Sequence, residues 1–242
     1  MEVTNRYVVI KHIIDGAPQE SDFELRTGPL TLSIEPGKDE VIVKNLFLSI
    51  DPYQLNRMTS QSCFQQATNI AGALNPGEEI DGYGVGRVVA SGNPELKEGD
   101  LVSGFLSWGE YSIIKEGTSK FKGAKLNKVE TMGFPLSYHA GFLGFSGITA
   151  FAGLFEVCNP ERGNSVCFCC LKICGKFSWA DFLLLITSKF IRTSFQPHLS
   201  TSRVGSSTFL KTFRVVWKAY HQLLQDFRGD NVGKKMVQVA DD

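Results

Sequence analysis

Apolar and polar residues alternate along the first 120 residues in short runs that are separated by turn residues. This alternation predicts strands, because the side chains of a β-strand point in turn to its two faces. The predicted strands cover residues 6–10, 30–35, 40–48, 82–90, 101–105 and 109–114. Many short strands at this spacing favour a closed or nearly closed β-barrel over a parallel sheet.

The period changes near residue 138. Apolar residues then recur at helical spacing within 138–157, and residues 164–166 read as the beginning of a buried strand. In a dinucleotide-binding α/β unit, such a strand ends in a glycine-rich turn that holds a pyrophosphate at a helix N-terminus. Here Val166 is followed by Cys167-Phe168-Cys169-Cys170, so the turn is not supplied.

Charge and glycine content change at the same point. Residues 1–166 carry 20 acidic and 14 basic side chains with 20 of the 24 glycines. Residues 167–225 carry one acid, eight bases and two glycines, and the βα rhythm of an α/β domain is missing from them. Within this segment the sequence favours a helix over residues 179–190. Beyond the segment, it predicts a terminal strand over residues 232–239. The net charge of zero is therefore a cancellation between unlike segments and indicates no particular partner.

The cysteines predict neither a disulfide framework nor a metal site. Four of the six lie within 167–174, too close together to close useful loops, and no paired C-x-x-C or neighbouring histidine accompanies them. No secretory signal or membrane-spanning segment is evident, and we expect a soluble cytoplasmic protein. The lysines of 115–128 read as a solvated loop rather than a nucleic-acid surface.

Seven sequence blocks resemble, in order, the zinc-independent medium-chain reductases, and in particular the plant NADP-dependent 2-alkenal (double-bond) reductases. They are Val43-Lys44-Asn45-Leu46, Ser49-Ile50-Asp51-Pro52-Tyr53, Gly82-Tyr83-Gly84-Val85, Gly99-Asp100-Leu101-Val102, Trp108-Gly109-Glu110-Tyr111, Pro135-Leu136-Ser137-Tyr138 and Gly147-Ile148-Thr149-Ala150. The tail at 227–235 is similar to the end of the same family.

The resemblance implies a mainly β fold, a GroES-like, partly open β-barrel with a helical linker, in which the Rossmann domain is absent or reduced to its first strand. The implied divisions are a substrate domain at 1–135, linker helices and that strand at 136–166, and a family-like terminal strand at 226–242. The segment 167–225 has no counterpart in the family and is expected to be poorly ordered or partly helical. A mis-spliced or truncated gene product would explain it.

The resemblance also implies site residues. Tyr53 and Tyr83 would line the substrate cleft, and Thr149 and Asn231 would lie near the cofactor; no catalytic residue and no metal ligand is assigned. Without the resemblance, Tyr53 reads as a packed aromatic with its hydroxyl on backbone, Asn231 as a turn residue, and His139 as structural. The run Gly82-x-Gly84-x-Gly86 is not a phosphate-binding fingerprint, since Arg87 stands where the third glycine belongs.

The implied activity is NADPH-dependent reduction of the carbon–carbon double bond of small α,β-unsaturated aldehydes or ketones, without a metal. Because the cofactor domain is replaced, we expect this chain to be inactive as a reductase and its family dimer interface to be lost. The first alternative is a non-catalytic β-barrel fragment that binds an apolar carbonyl compound or a full-length partner. The second is a quinone reductase. No nucleic acid or membrane partner is expected.

Overall fold

A computed structural model describes residues 1–35, 37–59, 72–115, 124–152, 155, 210–214 and 234–242. A short 3-10 helix occupies Glu20–Asp22. The strands are β1 Glu2–Ile10, β2 Phe23–Thr31, β3 Glu40–Ser49, β4 Asp81–Ser91, β5 Leu101–Ser107, β6 Tyr111–Lys115, β7 Asn127–Lys128, β8 Leu210–Arg214 and β9 Lys234–Gln238. The helices are α1 Pro52–Met58, α2 Leu136–Ala140 and α3 Phe145–Phe151.

The strands form a two-stranded antiparallel sheet, β1-β2, and a seven-stranded sheet in the order β7-β5-β4-β3-β9-β8. The seventh strand, β6, pairs with β3. β3 is the central strand because β4 lies along one of its edges, while β6 and β9 follow one another along the other. The two sheets are joined by single bridges, among them Tyr7 to Gly109 and Val9 to Glu79.

The predicted mainly β fold is confirmed. The described strands do not close into a barrel, because the strand order begins at β7 and ends at β8. Of the predicted strands, 40–48 and 82–90 lie within β3 and β4. The prediction at 30–35 was wrong in extent: β2 begins at Phe23 and ends at Thr31, because it pairs along its whole length with β1.

The main core is built from apolar residues of β1, β3, β4, β5 and β9 and of the segments that join the strands. Its most enclosed members include Ile10, Val43, Ile80 and Leu106. The opposite face of β3 and β4 carries Phe47 and Val85, which pack with the C-terminal strand and α2. This second face of the sheet supports the candidate site.

The predicted helical linker is present but interrupted. α2 ends at Ala140, and turns through Gly141–Gly144 separate it from α3. Leu143 N–H bonds to the carbonyl of Tyr138, which holds the turn against α2. The expected strand at 164–166 and helix at 179–190 lie outside the described residues.

The C-terminal strand β9 belongs to the same seven-stranded sheet as β3, β4 and β5. β9 pairs antiparallel with the end of β3, aligning Ser49 with Met236, and Met236 is fully buried. β8, at residues 210–214, pairs parallel with β9. The predicted terminal strand at 232–239 contains β9, whereas no strand was predicted at 210–214. No helix in the described part of the chain has the length and hydropathy that crossing a membrane requires.

Candidate functional site

Four aromatic side chains meet on the second face of the sheet. The ring of Phe145 lies 5.8 Å from that of Tyr53, 6.1 Å from Tyr83 and 5.6 Å from Phe105, and the rings of Tyr83 and Phe105 are 5.8 Å apart. Three of these contacts are edge-to-face, and Tyr83 and Phe145 are stacked. We call these four residues the aromatic cluster. Such pairs add about 0.5–1.5 kcal/mol each beyond area burial, so the rings hold one another in place.

Backbone register positions the cluster. Tyr83 of β4 and Phe105 of β5 are directly paired across the two strands, so their side chains leave the same face. Phe145 is the first residue of α3 and brings its ring over both. Gly144 precedes it because a Cβ there would lie 2.6 Å from Cε1 of Tyr83, so only glycine lets the backbone approach the ring this closely.

Tyr83 provides the polar group of the cluster. Its hydroxyl donates to Oγ of Ser103, 3.1 Å away on β5. Burial raises the pKa of the Tyr83 phenol above its usual value near 10, and the Ser103 hydrogen bond partly offsets that rise. The side chain is half-buried and the phenol stays protonated at neutral pH. It is a fixed, neutral hydrogen-bond donor.

Tyr53 lies deeper. It follows Pro52 at the N-terminus of α1 and is only 8% exposed. Burial raises its pKa well above 10, and the carboxylates of Asp51 and Asp81 act in the same direction, while a backbone hydrogen bond from Tyr83 lowers it. This environment matches the interpretation of a packed aromatic with its hydroxyl on backbone. Direct contact between Tyr53 and a substrate stays a prediction.

A buried polar network holds α1 under the cluster. Asp51 caps the helix and accepts a hydrogen bond from Ser49 Oγ at 2.5 Å. Gln54, fully buried, reaches back to Asp51 N–H at 2.8 Å and donates to the carbonyl of Asp81 at 3.0 Å. Arg57, also fully buried, forms an ion pair with the Asp81 carboxylate. This network fixes the start of β4, and hence Tyr83.

The glycines that flank Tyr83 serve strand packing rather than an open ligand surface. A Cβ on Gly84 would lie 2.6 Å from the carbonyl oxygen of Phe47 and 2.8 Å from Leu48 Cδ2, and Gly82 and Gly86 are equally crowded. The absence of side chains on this face lets β4 approach β3. These glycines lie within the strand β4, whereas the phosphate-binding fingerprint opens a helix. The structure thus agrees with the mismatch seen in the sequence.

A cavity of about 210 Å³ opens beside the aromatic cluster. Phe105 is a member of the aromatic cluster and also lines the cavity. The other walls come from the start of β4, the end of β5, β6 and residues 124–126.

The other predicted site residues are placed apart from this cluster or lie outside the described residues. Thr149 is in α3, and its hydroxyl donates to the carbonyl of Phe145 at 2.8 Å, within its own helix. Asn231 and all six cysteines are outside the described residues. His139 is buried, with Nε2 3.2 Å from the carbonyl oxygen of Thr131, which fits the structural role predicted for it. The described residues hold no cluster of three or more potential metal ligands.

The sequence analysis did not identify Ser103, Phe105 or Phe145 as site residues, although Phe105 and Phe145 pack in the cluster. Alternation along β5 puts residues 103, 105 and 107 on one face, but the pairing of Phe105 with Tyr83 depends on register. That register was the signal that the sequence did not provide.

The described residues do not meet the requirements of dinucleotide binding. A pyrophosphate needs a glycine-rich turn at a helix N-terminus with room for the ligand. The glycines before and within α3 do not fit this, because the space beside Gly144 and Gly147 is filled by backbone of 139 and 142 and by the ring of Tyr83. The part of the chain that the structure describes therefore offers no dinucleotide cradle.

Residues 6–122 match the family model described as the N-terminal domain of oxidoreductase. The chain is 41% identical over 165 residues to the NADP(+)-dependent 2-alkenal reductase of Nicotiana tabacum, a match over 68% of this chain and 45% of that protein. It is 36% identical over 166 residues to the (+)-pulegone reductase of Mentha piperita, with the same two shares. The chain spans less than half the length of these curated relatives.

Among solved structures, the fold is similar to that of CurA from Vibrio vulnificus in complex with NADPH. The TM-score is 0.65 at 15% identity, over 98% of this chain and 100% of that chain. At this identity the likeness establishes the fold alone. The predicted resemblance to the plant alkenal reductases is confirmed by the first of the two plant relatives above.

Proposed function

We propose that residues 6–122, which match the model described as the N-terminal domain of oxidoreductase, form the carbonyl-binding half of an NADPH-dependent reductase acting on the carbon–carbon double bond of small α,β-unsaturated aldehydes and ketones. The relatives named above are reductases of a 2-alkenal and of pulegone, both conjugated carbonyl compounds. The observation that carries the proposal is the aromatic cluster with one fixed hydroxyl donor, that of Tyr83.

The cluster suits a conjugated carbonyl compound in shape and polarity. Such a molecule is flat and largely apolar, so it packs well against aromatic rings, and its one strong acceptor is the carbonyl oxygen. The Tyr83 hydroxyl would exchange Ser103 for that oxygen. Its raised pKa keeps the proton on the phenol.

The same hydrogen bond would assist reduction. In such reductases NADPH supplies the hydride that adds to the β-carbon, and a proton then adds to the α-carbon. Between these additions the carbonyl oxygen carries enolate charge, and a preorganised donor stabilises that charge more than the neutral carbonyl. Tyr83 is our candidate for this donor, and Tyr53 would support it from behind Phe145. Contacts of Thr149 and Asn231 with the cofactor stay predictions.

For the 242-residue chain we expect binding without reduction. Hydride transfer needs the donor within about 3–3.5 Å of the acceptor carbon, and neither the described residues nor the sequence of 167–225 supplies a glycine-rich cradle that would hold it there. We therefore interpret the chain itself as a non-catalytic carbonyl binder. The reductase activity is our hypothesis for the full-length proteins that it resembles.

Two measurements test these statements separately. NADPH oxidation with trans-2-hexenal should stay at the no-enzyme rate, and clear turnover would overturn the expectation of inactivity. The same NADPH oxidation assay with a quinone in place of the alkenal tests the quinone reductase alternative, which predicts turnover.

Calorimetric titration with 2-pentanone, a saturated ketone that cannot alkylate thiols, measures binding. Tyr83→Phe should weaken it about three- to tenfold, the worth of one hydrogen bond, whereas Tyr7→Phe on β1 should leave it unchanged. Equal binding by wild type and Tyr83→Phe would remove Tyr83 from the proposed role.

A further inference from the structure

The cavity of about 210 Å³ beside the aromatic cluster is lined by both apolar and polar residues. Its polar groups are already engaged within the protein. Ser107 Oγ donates to the carbonyl of Tyr111 at 3.1 Å, and Ser112 Oγ donates to Oδ1 of Asn45 at 2.9 Å. The Asp81 carboxylate is paired with Arg57.

The two remaining charged residues, Glu79 and Lys125, are exposed and opposite in charge. Partial burial of the Glu79 carboxylate raises its pKa, and its hydrogen bond with Ser107 partly offsets that rise. The surface that remains for an occupant comes from Phe105, Ile113, Ile114 and Leu126. An uncharged, apolar occupant fits this lining, because it demands no hydrogen bond from groups that are already satisfied.

We propose that this cavity holds the hydrocarbon tail of the carbonyl ligand, with Phe105 as the wall between the tail and the carbonyl end at Tyr83. The inference rests on the proposed function for its carbonyl end only. The ring of Phe105 packs edge-to-face against that of Tyr83, and Phe105 also lines the cavity, so this one residue adjoins both the proposed carbonyl end and the proposed tail end. The site then recognises an unbranched or small cyclic tail, not a polar one.

The volume sets the length of the tail. Since an apolar cavity of about 150 Å³ binds benzene, a cavity of about 210 Å³ holds roughly six to eight non-hydrogen atoms. Burying one methylene is worth about fourfold in affinity. Affinity is therefore expected to rise about fourfold for each added methylene and to level off when the cavity is full.

The test is a calorimetric titration of the 242-residue chain with a series of 2-alkanones from 2-butanone to 2-undecanone. Toluene serves as a hydrocarbon probe without a carbonyl. Saturated ketones are used because unsaturated ones would alkylate the cysteines.

Two variants fill the cavity: Ala124→Trp, at a half-buried lining position, and Ile113→Trp, at an exposed position of β6 by the opening. The matched control is Ala90→Trp, half-buried on β4 nine residues beyond Asp81. Circular dichroism melts confirm that each variant is folded, and Ile113→Trp keeps the test available if Ala124→Trp does not fold.

The expected result is a rise and plateau in wild type and Ala90→Trp. In the two filling variants the rise should be lost, with binding of 2-butanone unchanged. Ketone binding that is independent of chain length, or unaffected by both filling variants, would overturn the tail site while leaving the carbonyl site intact. Toluene binding that is lost in the filling variants, with no gain from a carbonyl, would support the cavity and overturn the carbonyl function. Binding of no probe would overturn both.

Discussion

The hydroxyl of Tyr83 donates to Oγ of Ser103 across 3.1 Å, from β4 to β5. This bond lowers the pKa of a phenol that burial raises, and it orients the only hydroxyl that we assign to ligand binding.

Replacing Ser103 by alanine tests this relationship. Ser103→Ala should raise the pKa of Tyr83 further, because the phenolate loses a donor, and should cost about 1 kcal/mol in the free energy of unfolding. The pKa is read from ¹³C NMR of chains labelled at tyrosine Cζ, with Tyr83→Phe identifying the resonance. Ser91→Ala, at a serine that bonds backbone of Asn93, is the control. A Tyr83 pKa that does not move in Ser103→Ala would show that the bond is absent in solution.

The buried tyrosines also predict loss of stability in alkali. Burial raises the pKa of Tyr53 and of Tyr83 in the folded chain. Above about pH 10 the unfolded chain loses these phenol protons while the folded chain keeps them. The unfolded state then binds fewer protons, so the free energy of unfolding falls as pH rises. Urea unfolding between pH 8 and 11 should show a shallower fall in Tyr83→Phe than in wild type; identical slopes would refute this account.

The ion pair between Arg57 and Asp81 should contribute more to the free energy of unfolding than ion pairs on the surface do. Arg57 is fully buried and the Asp81 side chain is 20% exposed. Asp81→Asn is expected to cost about 2–3 kcal/mol, somewhat below the 3–5 kcal/mol of a fully buried pair. The matched change Glu24→Gln, in a pair exposed on both sides, should cost under about 1 kcal/mol. Similar urea midpoints for the two variants would contradict a buried role for the pair.

Close packing of β3 and β4 can be tested at Gly84. A Cβ there would overlap the Phe47 carbonyl oxygen, so Gly84→Ala should destabilise the chain by about 1–3 kcal/mol. Gly28→Ala on β2 is the control, since nothing lies within 4 Å of its added Cβ. If thermal unfolding shows equal midpoints for the two, the strands are not as close as described.

The sequence predicted the central strands well, because β3 and β4 are each rich in β-branched and other apolar residues over ten or more positions. It failed where a structural feature depends on partners distant in the chain. β2 extends from Phe23 to Thr31 through its pairing with β1, and the buried Arg57 gains its carboxylate 24 residues away. α2 and α3 are separate helices because Gly141 and Gly144 adopt backbone angles outside the helical range.

The candidate site was predicted in part. Tyr53 and Tyr83 were named from the resemblance, and the structure brings both against Phe145. Phe105 enters only through its register with Tyr83, and the cavity only through the approach of residues 124–126 to β5 and β6. Neither relationship is local in the sequence, so no periodicity could indicate it.

The central claim is that a carbonyl compound binds at the aromatic cluster through Tyr83. Its most direct test is a titration of 2-pentanone into the chain labelled with ¹³C at tyrosine Cζ. We predict a saturable shift of the Tyr83 resonance, with that of Tyr7 on β1 unmoved. A Tyr83 resonance that stays in place at saturating ketone, or one that moves together with Tyr7, would contradict the account.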